Sequence, residues 1–139
     1  MSNKANFEGL KERLVEDNER EHGAEARQRW GDETVDASNR KMLGLNEKEF
    51  ERFQELGAHI NALLEQAVGA EADPAGETGA RICDLHREWL GFTWNFYTPE
   101  AHRGLAEMYV ADERFRSYYD GRVEGCAAWL RDAIIAHAR

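Results

Sequence analysis

The sequence is short of proline, with only Pro74 and Pro99 among its 139 residues. A proline inside a helix removes a backbone hydrogen-bond donor and clashes with the preceding turn, so a chain with few prolines favours helices. The sequence also lacks any sustained alternation of apolar and polar residues, which is the mark of a strand. We therefore predict an all-α fold, with five to six helices packed as a bundle in a single domain.

Cysteine is equally scarce. The two cysteines, Cys83 and Cys126, form no CxxC motif and are too few for a disulfide-stapled scaffold, which favours reduced thiols. No stretch of about 18 apolar residues could span a membrane, and the first residues are charged or polar instead of forming an apolar signal segment. We expect a cytoplasmic protein.

Positive charge is in short supply as well. The chain has 18 lysines and arginines against 27 aspartates and glutamates, which gives a net charge of −9. A field of this sign repels phosphate backbones and anionic lipid surfaces. We therefore expect neither direct nucleic-acid binding nor membrane binding by this chain.

Motifs for catalysis and metal binding are missing too. The sequence contains no GxSxG, no glycine-rich phosphate loop and no HExxH. Cys83 and His86 lie three positions apart and could share a metal, but two ligands fall short of the four in a structural zinc site. The many acidic residues fall at the spacing of solvated helix faces. We expect no enzyme activity, no metal and no cofactor.

What the sequence does contain is helical periodicity bounded by capping signals. A helix with a thin apolar stripe is predicted from Phe7 to Arg29, and residues 32–45 are expected to form a loop or a short turn. We assign residues 1–31 to an N-terminal amphipathic helix that is a candidate mobile lid, and residues 32–139 to a ligand-binding helical core. Later helices, including one over 74–93, each follow a residue that can cap them, namely Asn46, Asp73, Thr98 and Asp112.

The densest aromatic stretch runs from Trp89 to Tyr97, and Met108 and Tyr109 follow on the next predicted helix. One helix face cannot bury all of these rings, so some are expected to line a groove. Aromatic walls with a few polar groups are the usual make-up of a small-molecule pocket. An ordinary aromatic core is the alternative, and spacing alone leaves both interpretations open.

One long motif resembles a known family. The run from Tyr97 to Phe115, YTPEAHRGLAEMYVADERF, is similar to the signature of the TipAS-type antibiotic-recognition domain, and so are residues 29–31 and 130–134. The resemblance implies a globin-like helical fold without haem. It also implies the ligand-sensing half of a MerR-type transcription activator, or a stand-alone form of it, that binds thiopeptide-like antibiotics in a cleft between helices.

The resemblance also implies which residues line that cleft. They are Trp89, Phe92, Trp94, Phe96, Tyr97, His102, Leu105, Met108 and Tyr109. Some family members carry a cysteine two residues after the motif histidine, and it attacks a dehydroamino acid of the antibiotic. Gly104 stands at that position here, so we expect reversible binding.

The implied partners are a drug-like or thiopeptide small molecule, an attached or separate MerR-type DNA-binding domain, and a second copy of the chain in a homodimer. The sequence contains no winged helix or coiled-coil linker of its own, which agrees with the negative net charge. The alternative is a protein–protein interaction or dimerisation module without a small-molecule ligand, in which the aromatic patch would be an interface.

Overall fold

The computed structural model describes residues 3–139, with side chains from residue 7 onward, and within that range it contains helices and no strand. The elements are α1 (Asn3–Asn18), a π-helical turn (Glu19–Gly23), α2 (Ala24–Trp30), α3 (Asp32–Leu43), α4 (Glu47–Gly69), α5 (Glu77–Leu90), α6 (Pro99–Ala111), α7 (Glu113–Asp120) and α8 (Cys126–His137). Since α1, the π-helical turn and α2 follow without a break, the described residues form seven helices. The all-α prediction is confirmed, and the predicted count of five to six is slightly low.

Three of the predicted helix starts have the caps that the sequence indicated. The Asn46 side chain accepts a hydrogen bond from the Glu49 amide at 2.8 Å, and the Glu49 carboxylate accepts one from the Asn46 amide at 2.9 Å, which completes a capping box. The Thr98 hydroxyl accepts from the Ala101 amide at 3.1 Å, and Asp112 caps α7. These side chains satisfy amides that have no partner within the helix.

Residues 32–45 were predicted as a loop or a short turn, and most of them instead form α3. Arg27 of α2 explains how this weakly periodic segment is held, because its guanidinium donates to Glu19 at 2.5 Å, to Asp36 at 2.8 Å and to Asp32 at 3.1 Å. These hydrogen bonds, with that to Glu19 the strongest, raise the pKa of the guanidinium. Gly31, at φ +86°, makes the turn between the two helices.

The predicted helix over 74–93 is shorter than expected. Asp73 accepts a hydrogen bond from the Ala75 amide at 2.9 Å, so its carboxylate closes a turn instead of capping a helix. The helix itself, α5, begins at Glu77 and ends at Leu90. The signal for an N-cap and the signal for an Asx turn are the same residue types, which is why the boundary was misplaced.

The chain divides into two compact units. The first unit contains the chain up to Phe53 together with Leu90–Asn95, and the second contains Gln54–Trp89 and Phe96–Arg139.

A buried lysine anchors α1 within the first unit. The Lys11 side chain is 1% exposed, and its ammonium donates to the Leu43 carbonyl at 2.6 Å and to the Leu45 carbonyl at 2.7 Å. It also lies 3.2 Å from the Glu8 carboxylate and 4.4 Å from the centre of the Phe7 ring. Carbonyls at a helix end lack partners within the helix, so Lys11 satisfies the end of α3 and ties α1 to it.

Replacing Lys11 with methionine keeps an unbranched apolar side chain but removes the ammonium, which leaves the Leu43 and Leu45 carbonyls without a donor. Loss of a buried partner costs about 1–3 kcal/mol. We therefore expect amide hydrogen exchange in α1 to accelerate by about five- to 150-fold. Lys48→Met removes an exposed lysine of the same unit and is the matched control. Unchanged exchange in K11M would show that Lys11 does not anchor the helix.

In the second unit, α6 and α8 pack around a core of fully buried side chains that includes Ala106, Leu130 and Ile134. The connector before α5 is fastened to α8 at two points. The Trp129 indole N–H donates to the Ala72 carbonyl at 2.8 Å, and His137 Nε2 lies 3.1 Å from the Pro74 carbonyl oxygen. The connector backbone is therefore part of the packed unit.

Candidate functional site

Four side chains of the second unit form a continuous hydrogen-bonded chain, which we call the relay. The Tyr97 hydroxyl lies 2.6 Å from His102 Nδ1, and His102 Nε2 lies 2.8 Å from His86 Nδ1. His86 Nε2 lies 3.1 Å from the Tyr109 hydroxyl, and the Tyr109 ring packs against Tyr119 with centroids 4.8 Å apart. The two imidazole rings are almost parallel, with centroids 5.0 Å apart.

Local sequence features place the relay. His102 and Tyr109 are seven positions apart, about two helical turns, so both project from the same face of α6. The Thr98 cap and Pro99 fix where that helix begins. His86 comes from α5, and it is 1% exposed, against 0% for His102 and 2% for Tyr109. The centre of the relay is thus closed to solvent.

The relay carries no net charge near neutral pH. Burial, with repulsion from His102, lowers the pKa of His86 to about 3. Burial, with the nearby Arg87 and Arg103 guanidiniums, lowers the pKa of His102 to about 4. Burial also raises the pKa of the Tyr109 hydroxyl. Each group must therefore be satisfied by hydrogen bonds between neutral partners.

A cavity of about 350 Å³ lies beside Tyr118 and Tyr119, within the second unit. This volume is in the range of small-molecule sites. The polar and aromatic part of its wall comes from Asn61, Glu65, Tyr118, Tyr119 and Arg122. The remainder is small or apolar, from Ala58, Ala62, Leu64 and Cys126.

The polar wall of the cavity is internally ordered. The Asn61 amide donates to the Tyr118 hydroxyl at 3.1 Å, and the Glu65 carboxylate lies 3.5 Å from the Arg122 guanidinium. The rings of Tyr118 and Tyr119 meet edge to face with centroids 5.0 Å apart, and Tyr118 is 65% exposed. The cavity therefore offers an accessible aromatic surface beside both signs of charge.

The nine residues predicted to line a cleft fall in different surroundings. His102, Leu105, Met108 and Tyr109 are buried in the second unit, which also holds the partly exposed Trp89 and Tyr97 and the exposed Phe96. Phe92 and Trp94 belong to the first unit, where Phe92 packs against Phe53 with ring centroids 5.8 Å apart. None of the nine is in the wall of the 350 Å³ cavity. Their part in ligand binding stays a prediction.

The residues of the cavity wall were not predicted from the sequence. Aromatic density is highest over residues 89–97, and it is lower around the Tyr118–Tyr119 pair on the short helix α7. The two adjacent tyrosines could have indicated a surface aromatic site, because neighbouring residues on an eight-residue helix cannot both point into a core. Asn61, Glu65 and Arg122 gave no signal distinct from a solvated helix face.

Neither a metal-binding cluster nor a membrane-spanning helix is found in the described part of the chain. Between residues 3 and 139, no three histidine, cysteine, aspartate or glutamate side chains are grouped so as to hold a metal ion. No helix in the same range has both the length and the apolar composition needed to cross a bilayer.

Known proteins match both the sequence and the fold. The TipAS antibiotic-recognition domain family matches residues 22–137. The HTH-type transcriptional activator TipA of Streptomyces coelicolor is 36% identical over 121 residues, which is 82% of this chain and 46% of TipA. The HTH-type transcriptional regulator SkgA of Caulobacter vibrioides is 29% identical over 145 residues, covering 100% of this chain and 54% of SkgA. The chain thus spans about half the length of these relatives.

A solved structure extends the match to three dimensions. This structure is TipAS in complex with nosiheptide, from a thiopeptide antibiotic multidrug resistance system of Streptomyces lividans. It superimposes on this chain with a TM-score of 0.72 at 28% sequence identity. The alignment covers 86% of this chain and 85% of that one. With the family match extending over most of the sequence, the chain belongs to the TipAS antibiotic-recognition domain family.

Proposed function

We propose that this chain recognises ring-rich, thiopeptide-like antibiotics and catalyses no reaction on them. It would act as the ligand-sensing domain of a MerR-type, drug-responsive transcription activator, or as a stand-alone form of that domain. The observation that carries the proposal is the structural match to TipAS, which was solved with nosiheptide bound. The cavity beside Tyr118 and Tyr119 supports it, because it joins an exposed aromatic surface to polar groups.

The energetics indicate how much of the ligand this cavity can hold. An aromatic contact contributes about 0.5–1.5 kcal/mol beyond its buried area, whereas micromolar affinity needs about 8 kcal/mol. A cavity of about 350 Å³ is too small for a whole thiopeptide. We propose that it receives one ring system, and that residues of the predicted set, such as the 79% exposed Phe96, contact the remainder. Residues 1–31 remain the proposed lid.

We propose that binding is reversible. Gly104 offers no thiol. Cys126 lines the cavity, but burial raises the pKa of its thiol, and the protonated form is a poor nucleophile. The proposed partners besides the antibiotic are an attached or separate DNA-binding domain and a second copy of the chain. In that role the protein would act in the cytoplasm.

Titration calorimetry with nosiheptide tests the proposal. We expect binding by the unmodified protein and about tenfold weaker binding by Tyr118→Ala, which removes the exposed ring from the cavity wall. Ile135→Ala is the matched control, because Ile135 is 44% exposed on α8 of the same unit and does not line the cavity. Phe96→Ala tests separately whether the nine residues predicted from the sequence include one that contacts nosiheptide.

Two results would count against this assignment. Equal nosiheptide affinity for Y118A and I135A would exclude the cavity as a subsite. No heat and no thermal shift with nosiheptide or with other thiopeptides would remove the proposed function itself.

A further inference from the structure

One face of α4 forms part of the wall of the 350 Å³ cavity. Ala58, Asn61, Ala62 and Glu65 are spaced at i, i+3, i+4 and i+7, so they lie along one stripe of that helix. The two alanines carry nothing larger than a methyl group, which leaves room for a flat group to approach the helix. Since the tyrosine pair of α7 supplies another part of the wall, the cavity suits a planar ring.

The exposed ring of Tyr118 is held in place without a ligand. Its hydroxyl accepts a hydrogen bond from the Asn61 amide at 3.1 Å, and its ring meets that of Tyr119 edge to face. A ring that is fixed in this way loses little conformational freedom on binding. Tyr118 can therefore contribute affinity for any aromatic group, whatever that group carries at its edge.

Glu65 brings a charged hydrogen-bond acceptor to the same cavity. Its side chain is 28% exposed, and Arg122 Nε lies 3.5 Å from its Oε1 atom. The Arg122 side chain is itself 86% exposed, and an ion pair with so exposed a partner is weak. Because the two oxygens of a carboxylate can accept about four hydrogen bonds, Glu65 retains acceptor capacity for a ligand.

The charge around the cavity also favours a ligand that donates. Burial raises the pKa of the Cys126 thiol in the cavity wall, and the nearby Asp120 and Glu65 carboxylates raise it further. These two carboxylates together outweigh the positive charge that Arg122 supplies to the wall. The net charge of the whole chain, −9, has the same sign. An N–H or O–H group of a ligand is therefore attracted to the cavity, whereas a ligand carboxylate is repelled.

We propose that Glu65 makes the cavity selective for a planar ring that carries a hydrogen-bond donor, either N–H or O–H, at its edge. The ring contacts Tyr118 and the two alanines of α4, and its donor binds the Glu65 carboxylate in place of Arg122. Tyr118 then contributes affinity, and Glu65 determines which rings are accepted. The inference rests on the proposed function, because it names the kind of ring that the antibiotic places in this cavity.

Two isosteric rings test the inference. Indole has an N–H where benzofuran has an oxygen, and the two are otherwise alike in size and planarity. Rings of this size bind with roughly millimolar Kd, which an NMR titration of the full chain can measure through the backbone amides of the cavity wall. We expect indole to bind about tenfold more tightly than benzofuran, because indole alone donates a hydrogen bond to the charged acceptor.

Substitutions of the two wall residues should have different effects on these probes. Glu65→Met keeps an unbranched side chain and removes the acceptor, so the preference for indole should disappear. Tyr118→Ala should weaken both probes by a similar factor, about two- to tenfold, and leave the preference for indole unchanged. Glu55→Met is the matched control, because Glu55 is an exposed glutamate of the same helix that does not line the cavity. It should change neither affinity.

The outcomes separate this inference from the proposed function. Equal affinities for indole and benzofuran, a preference for indole that persists in E65M, or no shift of any cavity-wall amide with either probe would overturn the inference, whether or not nosiheptide binds. A preference for indole that depends on Glu65, in a protein that binds no thiopeptide, would support the selectivity of the cavity and overturn the proposed function instead.

Discussion

Acidifying the protein from pH 7 to pH 5 is expected to lower its free energy of unfolding by about 4 kcal/mol through His86 and His102 alone. Both rings have folded-state pKa values, about 3 and about 4, below the ordinary 6.5. The unfolded chain therefore binds protons at pH 5 that the folded chain does not. Since pH 5 lies about 1.5 below 6.5, each histidine contributes about 2 kcal/mol. This stability is present above pH 6.5 and is lost as the pH falls towards 4 and 3.

Urea unfolding at the two pH values measures the effect. His102→Gln removes one of the two titrations and should reduce the loss by about half. His59→Gln changes an exposed histidine on α4 and should leave the loss unchanged. Carboxylates titrate in all three proteins, so the comparison isolates the buried imidazoles. Two results would contradict the burial of two neutral histidines. One is a pKa near 6.5 for either His86 or His102 by NMR, and the other is an equal free energy of unfolding at pH 7 and pH 5.

Gly79→Ala is expected to destabilise the second unit by about 3 kcal/mol or more. A Cβ built on Gly79 would lie 1.7 Å from the Pro74 carbonyl oxygen and 2.5 Å from the Pro74 carbonyl carbon. Both are backbone atoms, so the connector before α5 would have to move. That movement would break the hydrogen bond from Trp129 to Ala72 and the contact between His137 and Pro74.

Gly104→Ala is the matched control. Gly104 lies in the middle of α6, and a Cβ built there meets nothing within 4 Å. Alanine is a better helix former than glycine, so G104A should be more stable than the unmodified protein by roughly 0.5–1 kcal/mol. Thermal unfolding should move in opposite directions in the two variants, by about 2–4 °C per kcal/mol. If G79A has the same free energy of unfolding as the unmodified protein, the connector backbone can move away from the new Cβ without loss of stability.

The parts of the fold that could be predicted are those set by neighbours in sequence. The capping box at Asn46 and Glu49 and the start of α6 at Thr98 and Pro99 each involve residues within one helical turn. The motif around His102 was recognisable for the same reason. Where one local signal serves two structures, as at Asp73, the prediction was wrong.

The relay and the cavity could not be predicted because both depend on distant pairs. His86 meets His102 across a separation of 16 residues, and Asn61 meets Tyr118 across 57. Before the helices are placed, each of these side chains is compatible with a surface or a core position. Aromatic density pointed to residues 89–97, but burial of Tyr109 and exposure of Tyr118 follow from packing between helices. The helix α3 was missed because ion pairs with Arg27, rather than an apolar stripe, hold its first turns.

The π-helical turn over Glu19–Gly23 has a geometric consequence for the first unit. Lys11 and Arg27 are 16 positions apart, which in an uninterrupted α-helix is a rotation of about 160°, so they would face opposite sides. The wider turn absorbs roughly one residue and brings the angle to about 60°. Lys11 can then reach the end of α3 while Arg27 reaches its beginning. The π-helical turn thus corrects the rotation about the helix axis between Lys11 and Arg27. The number of residues between these two side chains is therefore as important as their identity.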